Sequence, residues 1–311
     1  MAAVIPTRDR PDFLTSAIDS ALRQTYPLVG VWVVDDGSSP PVELAEPHRR
    51  DPRVHLIRLS RHGGPGHARN VGVRAAGAPL IAFLDDDDLW RPEKIELQVA
   101  ALSATIGAAA CETGYDLWDG NSLVLRHRPR ADVDLRRVLL TRPRLQPSTV
   151  LMRKEAFDAL GGFEATMPRT EDWELWVRLA DRYRIVVLSE AYVDRRVNTN
   201  IAAAALEGQR QMVTTVLAAR IRQLPPSERG RVRSLHLRWE GTMLARSGDV
   251  GGARRAYLAA WRERPREWRP LVLAMTCLAG PRVFVALERR RREALPRLMK
   301  LLRREVPVRR W

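Results

Sequence analysis

The fold class that this sequence predicts is an α/β domain on a mostly parallel sheet, helices on both faces, followed by an α-helical C-terminal region. Three observations predict it. Up to residue 85, short runs of Val, Ile and Leu alternate with amphipathic helical stretches. Those runs are nearly continuous in apolar character, the mark of parallel strands buried on both faces. Past residue 200 no strand pattern competes with helix, and the charge balance steps. Residues 1–200 hold 27 Lys+Arg against 28 Asp+Glu, whereas 201–281 hold 14 against 6 and 282–311 hold 11 against 3. The boundary therefore falls there, with one domain at 1–200 and a basic helical region at 201–311.

Taken in order, "AAVIP" (2–6) predicts a first strand and "PDFLTSAIDSALRQ" (11–24) a helix with Phe13, Leu14, Ala17, Ile18, Ala21 and Leu22 on one face. "VGVWVVDD" (29–36) predicts a second strand, "VHLIRLS" (54–60) a third, "GPGHARNVGVRAA" (64–76) a helix, and "PLIAFLD" (79–85) a fourth strand. In open sheets of this kind ligands bind beyond the carboxyl ends of the strands. Polar residues cluster at those ends: Thr7 and Arg8, Asp35 and Asp36, and Asp85 to Asp88.

In the C-terminal third, 202–224 is helical, Pro225-Pro226 interrupts it, and a second helix restarts with Ser227 as its N-cap. Residues 237–265 match one tetratricopeptide-like unit, with Gly241, Leu244, Gly248, Ala253, Tyr257, Ala260 and Pro265 at the expected intervals. One unit cannot form a solenoid, so the expectation is a helical hairpin that packs on the N-terminal domain. Residues 282–311 set Val283, Phe284, Val285, Leu287, Leu295, Leu298, Leu301 and Leu302 against an arginine-rich face, a pattern that suits either an anionic bilayer surface or packing on the protein.

Composition excludes several classes. The longest apolar run, 271–279, is far short of the roughly 20 residues a spanning helix needs. Met1 leads straight into a strand, and Cys111 and Cys277 make neither a zinc set nor a disulfide framework. A cytoplasmic protein, either free or peripheral on the inner face of the plasma membrane, is the expectation. Net charge is +15, but without a nucleic-acid module this gives only nonspecific affinity, so no specific nucleic-acid partner is expected.

Four motifs carry chemistry. Asp85 to Asp88 put an Asp-x-Asp at a strand end, oxygen ligands suited to Mg²⁺ or Mn²⁺, which in turn neutralises a diphosphate; helix capping by Asp87 or Asp88 is the bland alternative. "VVDDGSS" (33–39) offers carboxylates to a nucleobase N–H, although its composition also suits a plain turn. In "GPGHARNVG" (64–72), Arg69 lies near a helix N-terminus that does not favour a cation, so it serves an anionic phosphate, or else it is a plain surface arginine. "PRTEDWELW" (168–176) opens a helix whose Trp173, Trp176, Val177 and Ala180 face inward. Its acids complement the helix dipole, or else Asp172 serves as a general base.

Together, "IPTRDRP", "VVDDGSS", "GHARNVG", "IAFLDDDDLWRPEKI" and "TEDWELW" resemble, in order and spacing over residues 2–200, the family 2 glycosyltransferases of GT-A fold. The resemblance implies an inverting enzyme that moves a single sugar from a nucleoside-diphosphate sugar to an acceptor hydroxyl, lipid-linked or saccharide, in cell-surface polysaccharide or glycoconjugate biosynthesis. It implies Thr7, Arg8 and Asp36 at the nucleobase, Arg69 at base or diphosphate, Asp85 near ribose and metal, and Asp87 on the Mg²⁺ or Mn²⁺. Asp88 and Glu171 follow as supporting acids and Asp172 as general base. One departure concerns the late Arg-x-His of such proteins, which reads Arg196-Val197-Asn198 here and removes a side-chain metal ligand. The Gln-x-x-Arg-Trp of processive synthases is also absent, which agrees with transfer of single sugars. The competing reading is a catalytically silent GT-A scaffold or membrane-surface binding protein.

Overall fold

The computed structural model describes residues 1–27, 30–167, 169–197 and 202–280. It divides into two compact units, Met1–Asn200 and Ile201–Trp311. The first unit contains β1 (Ala2–Thr7), α1 (Pro11–Leu22), β2 (Gly30–Asp35), α2 (Glu46–Arg50), β3 (Val54–Arg58), α3 (Pro65–Ala76), β4 (Leu80–Phe83), β5 (Leu89–Trp90), α4 (Lys94–Ala104), β6 (Ala108–Asp119) and β7 (Ser122–His127). It continues with α5 (Leu135–Leu139), a 3₁₀ turn at Pro147–Thr149, β8 (Val150–Arg153), α6 (Lys154–Ala159), α7 (Glu171–Arg182) and β9 (Arg184–Arg196).

Among the described residues nine strands make one sheet in the order β3-β2-β1-β4-β8-β6-β9-β5, with β7 paired to β6. Strands β1 to β4 pair in parallel, as strand–helix alternation requires. The second half departs from that regime. Strand β8 enters antiparallel between β4 and β6, β7 folds back on β6 as a hairpin, and β9 returns parallel to β6. The sheet is therefore mixed, and β8 and β9 bring distant sequence to the acidic rim.

Side chains of β1 alternate between two cores. Ala3 and Ile5 join Val31, Val33, Leu14, Ile18, Leu84 and Ile95 on the side of α1 and α4. Phe13, expected in that stripe, is instead 37% exposed with the Arg196 guanidinium over its ring. On the opposite side Val4 and Val34 meet Gly72 of α3, while Phe83, Phe157, Phe163 and Trp176 form a chain of tilted and edge-on rings. Trp173, Trp176, Val177 and Ala180 of α7 are all buried.

The second unit holds α8 (Ala202–Gln211), a π-turn at Met212–Val216, α9 (Ala218–Gln223), α10 (Pro226–Arg246), α11 (Val250–Glu263) and α12 (Arg269–Thr276). Helix α10 starts at Pro226 with Pro225 as its N-cap, not at Ser227, because a proline at the first helical position costs no backbone bond. Helices α10 and α11 pack on each other as a hairpin. Gly241 allows the ring of fully buried Tyr257 against its backbone, and Asp249 caps α11 by accepting the Gly252 N–H at 2.7 Å. The amphipathic stretch 282–311 lies outside the described residues.

Candidate active site

The acidic stretch begins where β4 ends. Strand pairing stops at Phe83, and Asp85 to Asp88 form a turn closed by the Asp88 N–H on the Asp85 carbonyl at 3.1 Å. The two acids of the Asp-x-Asp are thus presented by a turn and not by extended backbone. Helix capping is not their role, since α4 starts only at Lys94 and Glu93 occupies its cap position.

Each acid has its own environment. Asp85 receives the Arg69 Nη2 at 2.6 Å, and its backbone N–H donates to Ser148 Oγ at 3.1 Å. Asp86 is buried and accepts the Thr7 hydroxyl at 2.8 Å; burial lifts its pKa to about 6 against the opposing pull of that bond. Asp87 takes Arg10 Nη1 at 2.9 Å and is raised by burial and by neighbouring Asp85. Asp88, 1% exposed, accepts the Ser148 hydroxyl at 2.7 Å and Arg195 Nε at 3.2 Å, yet burial still pushes it to about 7.

Arg69 joins this turn to α7. It is buried under the Phe163 ring, with Nη2 on Asp85 and Nη1 on Glu171 Oε1 at 3.1 Å. Arg69 is therefore not a surface arginine, and its partners here are two carboxylates of the protein. Among the described residues Arg69 Nε and Glu171 Oε2 are buried without a hydrogen-bond partner, and unpaired polar atoms of this kind are costly unless something completes them. Beside Glu171, half-buried Asp172 accepts the Trp173 N–H at 2.6 Å. Burial, reinforced by the Glu171 charge and opposed by Arg69, raises its pKa to about 7. A carboxyl poised near neutrality is the property a general base needs.

At the next strand end the two adjacent acids divide their work. Asp35 accepts the Ser38 and Val42 N–H groups and shapes the turn, where Gly37 adopts φ +75° with no room for a Cβ against His62 N. Asp36 holds the loop before α3, accepting the N–H of Gly63 at 2.7 Å and of Gly64 at 2.9 Å, with His62 Nδ1 at 2.7 Å. Any base bound there would share a carboxylate already committed to that loop. Arg8 faces solvent and pairs with Asp9 at 3.3 Å.

Three residues not singled out from the sequence complete the arrangement. Arg10, two positions past Arg8, is the one that reaches the acids; the repeated arginine in "TRDRP" is its only sequence signal. Ser148 is fully buried and bonds Asp85, Asp88 and, through its carbonyl, the Trp90 indole. Arg195 arrives from β9 and also stacks over Tyr115. Nothing local in "QPSTV" or "DRRVN" announces these roles.

Among the described residues no group of three or more His, Cys, Asp or Glu side chains is placed to hold a metal alone. The donor set still fits a hard divalent ion that also takes oxygens from a ligand. Asp85 and Asp87 are carboxylates beside each other on one turn, and the Arg10 partner of Asp87 is 41% exposed and displaceable. Asn198 lies outside the described residues.

The model of glycosyl transferase family 2 matches residues 2–161. The succinoglycan biosynthesis protein ExoO of Rhizobium meliloti is 38% identical over 155 residues, covering 49% of this chain and 43% of that protein. The chain thus aligns with under half the length of that relative. S. aureus TarS 1–349 in complex with UDP-GlcNAc superposes with a TM-score of 0.61 at 19% identity, covering 94% of this chain and 91% of that one. The mannosyltransferase of Pyrobaculum calidifontis in complex with GDP-Man and Mn²⁺ gives 0.57 at 19% identity, covering 89% and 79%. At such identities the likeness establishes the fold, a GT-A-like mixed sheet with helices.

Proposed function

Because the chain belongs to glycosyl transferase family 2, we propose that it transfers a single sugar, with inversion, from a nucleoside-diphosphate sugar to an acceptor hydroxyl in cell-surface polysaccharide or glycoconjugate assembly. One observation carries this reading: Arg69 ties the acid turn at Asp85 to Glu171, the immediate neighbour of the near-neutral Asp172 carboxyl. The donor leaves at one side of that bridge and the acceptor is activated at the other. The nucleotide-sugar ligands of the structural neighbours and the polysaccharide role in the name of the Rhizobium relative support the same reading.

In this reading Asp172 accepts the proton of the acceptor hydroxyl as its oxygen bonds to the anomeric carbon and the bond to the diphosphate oxygen breaks. Attack from the face opposite the leaving group inverts the centre. Mg²⁺ or Mn²⁺ held by Asp87 with Asp85 would offset the charge of the departing diphosphate. Arg69 fixes Asp85, Ser148 and Arg195 fix Asp88, and Thr7 fixes Asp86, so the turn is preorganised. Thr7 and Asp36 border the base, with Arg8 at the edge of the same loop.

The test is transfer of radiolabelled sugar by Asp172→Asn and Asp87→Asn. Each is expected to lose at least about 100-fold in rate, with nucleoside-diphosphate binding kept in the first and weakened in the second. Wild-type rates in both variants would sink the proposal. A silent scaffold would instead show no transfer in the wild type.

A further inference from the structure

The second unit carries a surface that the transfer reaction does not use. Beside the α10–α11 hairpin lies a cavity of about 380 Å³ lined by Arg231, Arg238, Arg266 and Arg269, with Leu235, Trp268 and one acid, Glu267. Glu267 is already shared by Arg264 at 2.9 Å and Arg238 at 3.9 Å. Arg231, Arg266 and Arg269 are exposed and form no ion pair among the described residues, and Arg238 Nε is buried without a hydrogen-bond partner. Such a cavity has surplus donors and positive charge, and it is complementary to a phosphate.

The neighbouring helix supplies the apolar half. Helix α12 buries Pro270 and Ala274 against the unit. Its other side presents Leu271, Val272 and Met275, continued by Leu278 and preceded by Trp268 at the rim of the cavity. Trp268 and Met275 are 66% and 59% exposed. The spacing 268, 271, 272, 275, 278 places them on one face. An indole at the border between an arginine cluster and a strip of large apolar side chains is the pattern of a protein surface that sits in a headgroup layer.

We propose that this face of α12, with the arginine cavity beside it, docks on an anionic phospholipid bilayer. The arginines take lipid phosphates while Trp268, Leu271, Val272, Met275 and Leu278 enter the acyl boundary. Charge complementarity favours a lipid over a protein partner, because the cavity offers three guanidiniums without an ion pair among the described residues, and its one carboxylate is engaged by Arg238 and Arg264. Among the described residues no helix is long and apolar enough to cross a membrane, so attachment of this kind lies on the surface.

The experiment is sedimentation of the full chain with vesicles of phosphatidylcholine alone or with phosphatidylglycerol, at low and high salt. Wild type is expected to pellet with anionic vesicles and at least tenfold less with neutral ones. Arg231→Gln, Arg266→Gln and Arg269→Gln combined should lower partition at least about tenfold, whereas Arg290→Gln, Arg291→Gln and Arg292→Gln combined should retain most of it. With brominated acyl chains, tryptophan quenching should be seen in the wild type and be largely lost in Trp268→Phe, a change small enough to keep the fold. The idea is overturned if the wild type ignores anionic vesicles, or if the cavity variants partition like wild type. Loss of binding in the 290–292 variant alone, or quenching unchanged in Trp268→Phe, would overturn it as well.

Discussion

Asp172 shows how a single side chain acquires its chemistry from its neighbours. An exposed aspartate ionises near 3.9, but burial beside Glu171 raises this one to about 7, with Arg69 holding it from going higher. A general base must be deprotonated to act. The rate is therefore expected to fall about tenfold per pH unit below about 7 and to level off above it. Measurement of kcat/KM from pH 5 to 9 checks this, and a profile flat through 6 to 8 would remove Asp172 from the role. At the same scale, Arg10 and Arg8 illustrate what spacing alone leaves open. Both sit in one loop, yet only Arg10 reaches Asp86 and Asp87, because Arg8 turns to Asp9.

Among the elements, α3 bears a tight packing constraint next to the site, since it carries Arg69 and lies directly on β1 and β2. A Cβ at Gly72 would fall 2.5 Å from Val4 Cγ1 and 3.1 Å from Val34 Cγ2. Gly72→Ala gains helix propensity of about 1 kcal/mol. Overpacking against two buried strands costs about 1–3 kcal/mol and prevails, because neither valine can move within the sheet. The variant is expected to be less stable by up to about 2 kcal/mol, read as a lower urea midpoint with an unchanged slope. An unchanged or higher midpoint would show that α3 can lift from the sheet. Strand β8 matters equally: by pairing antiparallel between β4 and β6 it puts the Pro147–Thr149 turn, and with it Ser148, under the acids.

Across the whole molecule, buried acids set how stability responds to pH. Asp86 is raised to about 6, and Asp88, Glu112 and Asp172 to about 7, in each case chiefly by burial. Between about pH 4 and 7 these four groups bind more protons in the folded chain than in the unfolded one. The stability these groups contribute is therefore fully present below about pH 4 and is lost as pH rises through 6 to 7. The thermal midpoint is expected to drop from pH 5 to pH 8, and a midpoint that rises over that range would contradict the assignment. At pH 8, Mn²⁺ with a nucleoside diphosphate should recover part of the loss, by about 2.7 kcal/mol at one hundred times Kd. Chelation of the metal should abolish that gain in a thermal-shift measurement, and a shift indifferent to chelator would count against Asp85 and Asp87 as metal ligands.

The sequence by itself determined β1 to β4 with α1 and α3, the acidic rim at the strand ends and the buried face of α7. These follow from local periodicity and from prolines and caps. Only the tertiary structure decided that the sheet turns mixed after β4. It also decided that Asp36 holds the loop before α3 and that Arg10, Ser148 and Arg195 stand beside the acids. The reason is physical: side-chain period reports which face a residue takes within its own element. Which distant strand lies alongside is settled by the packing of the whole domain, and that strand brings the partner for each buried charge.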